Sequence, residues 1–116
     1  MARYRLSEPA KADVASLLRS SKMMHGADAE VRYRALLAAA MRRIAADPQG
    51  LLTSDRKDLM PGLRSLHLRH CRQESREAPV GTPVHVVFFR SIAPGMVEIV
   101  RVLHHRMEQS RHLEGR

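Results

Sequence analysis

Apolar residues change their spacing several times along this chain, and each change marks an element. "RYRLS", positions 3 to 7, alternates like a short first strand. Ser7 followed by Glu8 and Pro9 is a helix start, because the hydroxyl can cap and proline is tolerated in a first helical turn. Ala10, Val14, Leu17 and Leu18 then recur at helical spacing until His25-Gly26 supplies a stop. Asp28 is placed to cap a second, longer helix. Its inward face is Tyr33, Leu37, Ala40, Met41 and Ile44, and Arg32, Arg42 and Arg43 turn outward until Asp47-Pro48 breaks the period. Positions 8 to 47 are thereby predicted as a helical hairpin.

From 49 to 62 no period holds, and "SDRKDLMPG" has the residues of a turn-rich connection. "LRSLHLRH", 63 to 70, predicts a strand with Leu66 and Leu68 on one face and Ser65, His67 and Arg69 on the other. "CRQESREAPVGTP", 71 to 83, is polar and aperiodic, and reads as a mobile inserted loop. "VHVVFFR", 84 to 90, and "MVEIVRVLHH", 96 to 105, are antiparallel strands joined by the turn "SIAPG". Val97, Ile99, Val100, Val102 and Leu103 form a β-branched run suited to a central buried strand. The order strand, helix, helix, three strands predicts one α+β domain over 1–116, with an N-terminal strand and a helical hairpin on one face of a small, mostly antiparallel sheet. The opposite face is left partly open. There, Arg69 with His67 and Arg101 with His105 are expected to line a basic groove, and residues 106–116 form a charged tail or short helix that adds no core.

Composition narrows the partners. Twenty Lys and Arg against twelve Asp and Glu leave a formal charge of +8, and nearly all the bases are arginine, the side chain that forks onto carboxylates and phosphates. An acidic or polyanionic partner is favoured. Two Tyr, two Phe and no Trp leave few platforms for stacking bases, so sequence-specific nucleic-acid reading is not expected. The single cysteine, Cys71, gives no disulfide framework and suits a reducing cytoplasm. No apolar run approaches the roughly 18 residues of a membrane span.

Chemistry is possible on paper. Arg64, Arg69, Arg90 and Arg101 can supply cations to a phosphate, and His67, His104 or His105 can titrate near neutrality, as a metal-free nuclease requires. Histidines and arginines on an open sheet face equally make a binding surface. His67, His70 and Cys71 are zinc-ligand types, but in a strand His67 and His70 point to opposite faces, so no metal and no cofactor is assigned. Cys71 reads as a loop thiol.

"YRLSEPAKADV", "PGLRS", "HVVFFR" and "RVLHHRM", in this order and spacing, resemble the ParE branch of the RelE/ParE toxin superfamily over nearly the whole chain. The resemblance implies a helical hairpin on a curved antiparallel sheet, a ParD-like antitoxin as partner, and poisoning of DNA gyrase by binding, without catalysis. It departs from many members at 71–83, where a tight hairpin is common. Target-facing residues are then expected at Arg69, Arg90, Arg101, His104, His105, Arg106 and Arg111. Leftover apolar surface on the hairpin, with arginines around it, suggests antitoxin contacts at Leu18, Arg19, Met23, Arg32, Leu36, Arg42 and Arg43. The alternative is a RelE-type, ribosome-dependent mRNA interferase. Against it, Tyr4 lies in the first strand and Tyr33 on a helix's apolar face, neither expected near the C-terminal strands.

Overall fold

The computed structural model describes residues 3–74, 82–107 and 113. Strand β1 (Arg3–Leu6) ends at Ser7, whose hydroxyl accepts the Ala10 N–H at 3.1 Å and so caps α1 (Glu8–His25). The same hydroxyl donates to the Val100 carbonyl at 2.8 Å, which ties the helix start to the sheet. Helix α2 (Ala27–Ala46) follows after one residue. That residue is Gly26, at φ +95°, a backbone conformation that side-chain-bearing residues rarely adopt. Its N–H bonds the Lys22 carbonyl while its own carbonyl accepts from Glu30. One glycine therefore ends α1 and begins α2, and Asp28, expected as the cap, lies instead in the first turn. There its carboxylate opposes the helix dipole without a capping bond.

The sheet has the order β1-β5-β4-β3-β2, with β2 at Ser54–Asp55, β3 at Arg64–His67, β4 at His85–Ala93 and β5 at Met96–His104. Only the β1–β5 pair is parallel. This is the expected α+β arrangement, with both helices against one face. The two-residue β2 was not legible in a segment without period. The strand predicted over 63–70 stops at His67, because a 3₁₀ helix, Leu68–Glu74, takes over and buries Leu68 and Cys71 against the hairpin. Cys71 is thus a core residue and not a loop thiol. Of the loop expected over 71–83, residues 75–81 lie outside the described residues.

Phe88 and Phe89 are adjacent and both 0% exposed, so both faces of the sheet are covered. Phe89 packs under the helices with Val87, Val97, Ile99 and Val102. Phe88 packs on the far side with Leu63, Val86, Val100, Leu103 and Leu113. The two phenylalanines alternate as strand neighbours do, while a bulge opposite them shifts β5: Phe88 pairs with Arg101 and Phe89 with Ile99, so Val100 is the extra residue, and Val100 and Leu103 serve the far core while Ile99 and Val102 serve the near one. The expected core run from Val97 to Leu103 is buried at all its apolar positions. The far face, expected to be partly open, is closed over part of its area by Leu59, Met60, Leu63 and Leu113. Leu113 is 1% exposed, so the tail does contribute core, contrary to its reading as charge alone.

Candidate functional site

Where β1 ends, β5 continues with one edge unpaired, and α1 satisfies it. Asp13 accepts the Val102 N–H at 3.0 Å and grips the Arg101 guanidinium at 2.7 and 2.9 Å. This hydrogen-bonded carboxylate raises the Arg101 pKa further. Arg101 therefore turns to the helix side and is spent in a bidentate ion pair, which removes it from the expected groove with His105. Two other expected cations are engaged as well. Arg90 bonds Glu98 at 2.9 Å beside Arg5, and Arg64 donates to the Thr53 hydroxyl at 2.8 Å.

The histidines do gather. The rings of His85, His104, His105 and His67 form a contiguous row across the ends of β3, β4 and β5, with neighbouring centroids 5.0 to 5.5 Å apart. His67 Nε2 meets His105 Nδ1 at 3.0 Å, and His67 Nδ1 accepts the Arg69 N–H. Burial, then the charge of Arg69, lowers the His67 pKa to about 4. Burial, then His104, lowers His85 to about 4. Both are neutral imidazoles at pH 7. Among the described residues, no three His, Cys, Asp or Glu side chains gather to hold a metal.

At the inner end of the row stands Tyr33. Its hydroxyl lies 2.6 Å from His85 Nδ1 and accepts the Val84 N–H at 3.3 Å. Burial outweighs the backbone hydrogen bonds from Val84 and His85 and raises its pKa, so the phenol stays protonated and donates to His85 Nδ1. The expectation that Tyr33 lies away from the C-terminal strands is overturned. Helical periodicity puts it on α2's inner face, but only the packing of that face on the sheet shows that it reaches β4.

Tyr33, His85 and His104 line one cavity of about 740 Å³ between the hairpin's free end and the sheet's end. Ser20, Met24 and Arg32 line it from the helices, and Val102 and Met107 from the sheet side. Met23, Met24 and Met107, at 86%, 75% and 45% exposure, leave apolar surface at or beside its rim. Residues expected to face two different partners, Arg32 and His104, thus share one groove.

The other expected contacts are dispersed. Leu36 is 0% exposed and Leu18 only 7%, because both belong to the stripe that packs into the main core, so neither offers surface to a partner. Arg43 donates to the His70 carbonyl at 2.9 Å. Arg19 and Arg42 are exposed on the hairpin, and Arg69, His105 and Arg106 are exposed near the histidine row. Arg111 lies outside the described residues. Among those described, no helix is long and apolar enough to cross a membrane.

Residues 4–109 match the family model described as "ParE toxin of type II toxin-antitoxin system, parDE". The protein named Toxin ParE1 from Mycobacterium tuberculosis, in strains CDC 1551 / Oshkosh and ATCC 25618 / H37Rv, is 30% identical over 111 residues, covering 96% of this chain and 97% of the relative. A solved structure titled "Chromosomal ParDE TA system from P. aeruginosa" superposes with a TM-score of 0.64 at 16% identity, over 90% of this chain and 96% of that one, a likeness of fold. With the family model matched over residues 4–109 and a relative 30% identical over 96% of the chain, the chain belongs to the ParE toxin family of type II toxin–antitoxin systems.

Proposed function

We propose that this protein is the toxin of a co-encoded pair, that it inhibits DNA gyrase in the cytoplasm by binding and without chemistry of its own, and that a ParD-like antitoxin with an acidic segment neutralises it by occupying the groove between hairpin and sheet. Family membership supports the toxin role. The observation that carries the antitoxin seat is the groove itself, about 740 Å³ with exposed methionines at its edge and Arg32 in its wall. An amphipathic segment with acidic flanks buries apolar side chains there and faces its acids to the basic surface.

The binding mode, rather than catalysis, is supported by how the cations are used. Arg64, Arg90 and Arg101 each have a partner in the fold, so they are not assembled as a phosphate clamp. Exposed Arg69, His105 and Arg106 remain for the target. The RelE-type alternative draws on one specific observation, the 2.6 Å contact of Tyr33 with His85, which is a proton-transfer geometry.

The decisive assay incubates gyrase, DNA and ATP with the purified toxin. Loss of supercoiling or trapped cleaved DNA is the expected result, and its suppression by antitoxin completes it. Unimpaired supercoiling together with blocked translation and cut mRNA would transfer the assignment to the interferase.

A further inference from the structure

The groove has a chemistry that its apolar edge does not explain. His85 Nδ1 receives the Tyr33 hydroxyl, and His104 Nδ1 accepts the Arg106 N–H at 3.1 Å. Each ring is thereby held in the tautomer that carries its proton on Nε2. Both rings line the groove in an edge-to-face pair, 5.5 Å between centroids. No hydrogen bond within the described residues uses either Nε2–H, and since no fully buried side-chain nitrogen or oxygen among them lacks a partner, neither donor is fully buried. The carboxylate in the groove wall, Asp13, is already committed to Arg101 and Val102. What the groove offers a ligand is thus two fixed imidazole donors and the guanidinium of Arg32, over a floor of Leu17, Val84 and Val102.

We propose that His85, His104 and Arg32 form a carboxylate-binding subsite within the groove, which takes one Asp or Glu side chain of the antitoxin's docked segment. The proposal rests on the groove being the antitoxin's seat. A carboxylate presents acceptors only, and matches an arrangement of donors held by their own hydrogen bonds. Two neutral donors beside one cation bind an acid with less desolvation cost than a cluster of full charges. The apolar floor excludes water and strengthens each bond. The subsite would also make the pairing selective, since a partner with an apolar residue at that point leaves the donors and Arg32 unpaired.

The test measures affinity between the full chain and the antitoxin encoded beside it, by calorimetry. His104→Leu is expected to weaken binding by about tenfold, and His104→Gln, which keeps an N–H at the Nε2 position, to recover most of it. Each Asp and Glu of the antitoxin's toxin-binding half is changed in turn to Asn or Gln. One position is expected to lose about tenfold against the wild-type toxin and clearly less against His104→Leu, where only His85 and Arg32 remain to hold the acid. If no acidic position couples to His104, or if His104→Leu binds normally, the subsite is wrong. Ser20→Trp, which fills the groove, separates this failure from that of the seat: unchanged affinity for Ser20→Trp removes the seat itself. Should His104→Leu not fold, the wild-type complex decides by NMR. The Nε2–H protons of His85 and His104 must become slow to exchange on antitoxin binding, and continued fast exchange of both overturns the proposal.

Discussion

Asp13 on α1 and Arg101 on β5 lie 88 residues apart in sequence and face each other in a two-point ion pair at 2.7 and 2.9 Å. Because Asp13 also takes the Val102 N–H, one carboxylate both neutralises the guanidinium and continues the strand edge that β1 abandons. Both side chains are largely sheltered, at 14% and 16% exposure, so removing one partner leaves a poorly solvated charge. Asp13→Ala is expected to cost about 2 to 4 kcal/mol in urea unfolding. If Asp13→Ala and Arg101→Ala add without coupling in the double variant, the pair is not the unit described.

Leu113 places a second test on the far face. At 1% exposure among Leu63, Phe88 and Leu103, its truncation to alanine opens a cavity and is expected to cost about 2 to 4 kcal/mol. A chain ending at Leu103 loses this contact entirely and should melt well below the full chain. Equal melting temperatures would mean that the tail is dispensable to the core.

The Tyr33 hydroxyl gives a third. Tyr33→Phe leaves the Val84 N–H and His85 Nδ1 without their shared partner, and should cost about 1 to 2 kcal/mol while the ring's packing persists. The same variant separates the two functional readings. A gyrase inhibitor keeps its toxicity after allowance for stability, whereas an interferase using this hydroxyl loses turnover and not only folded protein.

Acid should weaken the fold in a defined window. The folded pKa of His85 lies at about 4 against an ordinary 6.5, so between those values the unfolded chain binds more protons and stability falls as pH drops. Above 6.5 both states are neutral at this ring and the dependence vanishes; below about 4 both are charged and the loss levels off. His67 acts in the same direction. Urea midpoints measured at intervals from pH 7.5 down to pH 4.5 should decline steadily below pH 6.5, by on the order of 2 kcal/mol from His85 after discount for its partial solvent contact. A flat profile would show that the ring is not desolvated as described.

The elements themselves were readable from the chain because short-range patterns decide them. The 3.6-residue stripe of Leu37, Ala40, Met41 and Ile44, the hydroxyl of Ser7 before a proline, and the run from Val97 to Leu103 each act through neighbours a few positions away. So did the turn before Met96, where Gly95 adopts a positive φ of 72°. The family motifs, spread along the chain in order, added the overall topology.

The division of labour among polar side chains had no such local signature. Whether an arginine is free or consumed depends on what lies across the fold: Arg101 meets an aspartate from α1, and Arg90 a glutamate on the neighbouring strand. Leu36 reads as surface from the chain although the helix buries it, since two adjacent leucines cannot be ranked by period alone. Tyr33 and His85 touch across 52 residues, and neither strand alternation nor helical spacing carries that distance. Which segments are helix and strand, and which faces are apolar, can be read along the chain because both follow from spacing. Tertiary packing alone decided which charges are neutralised, where Leu113 docks and that four histidine rings align. Each of these is a contact between residues brought together only when the hairpin closes on the sheet.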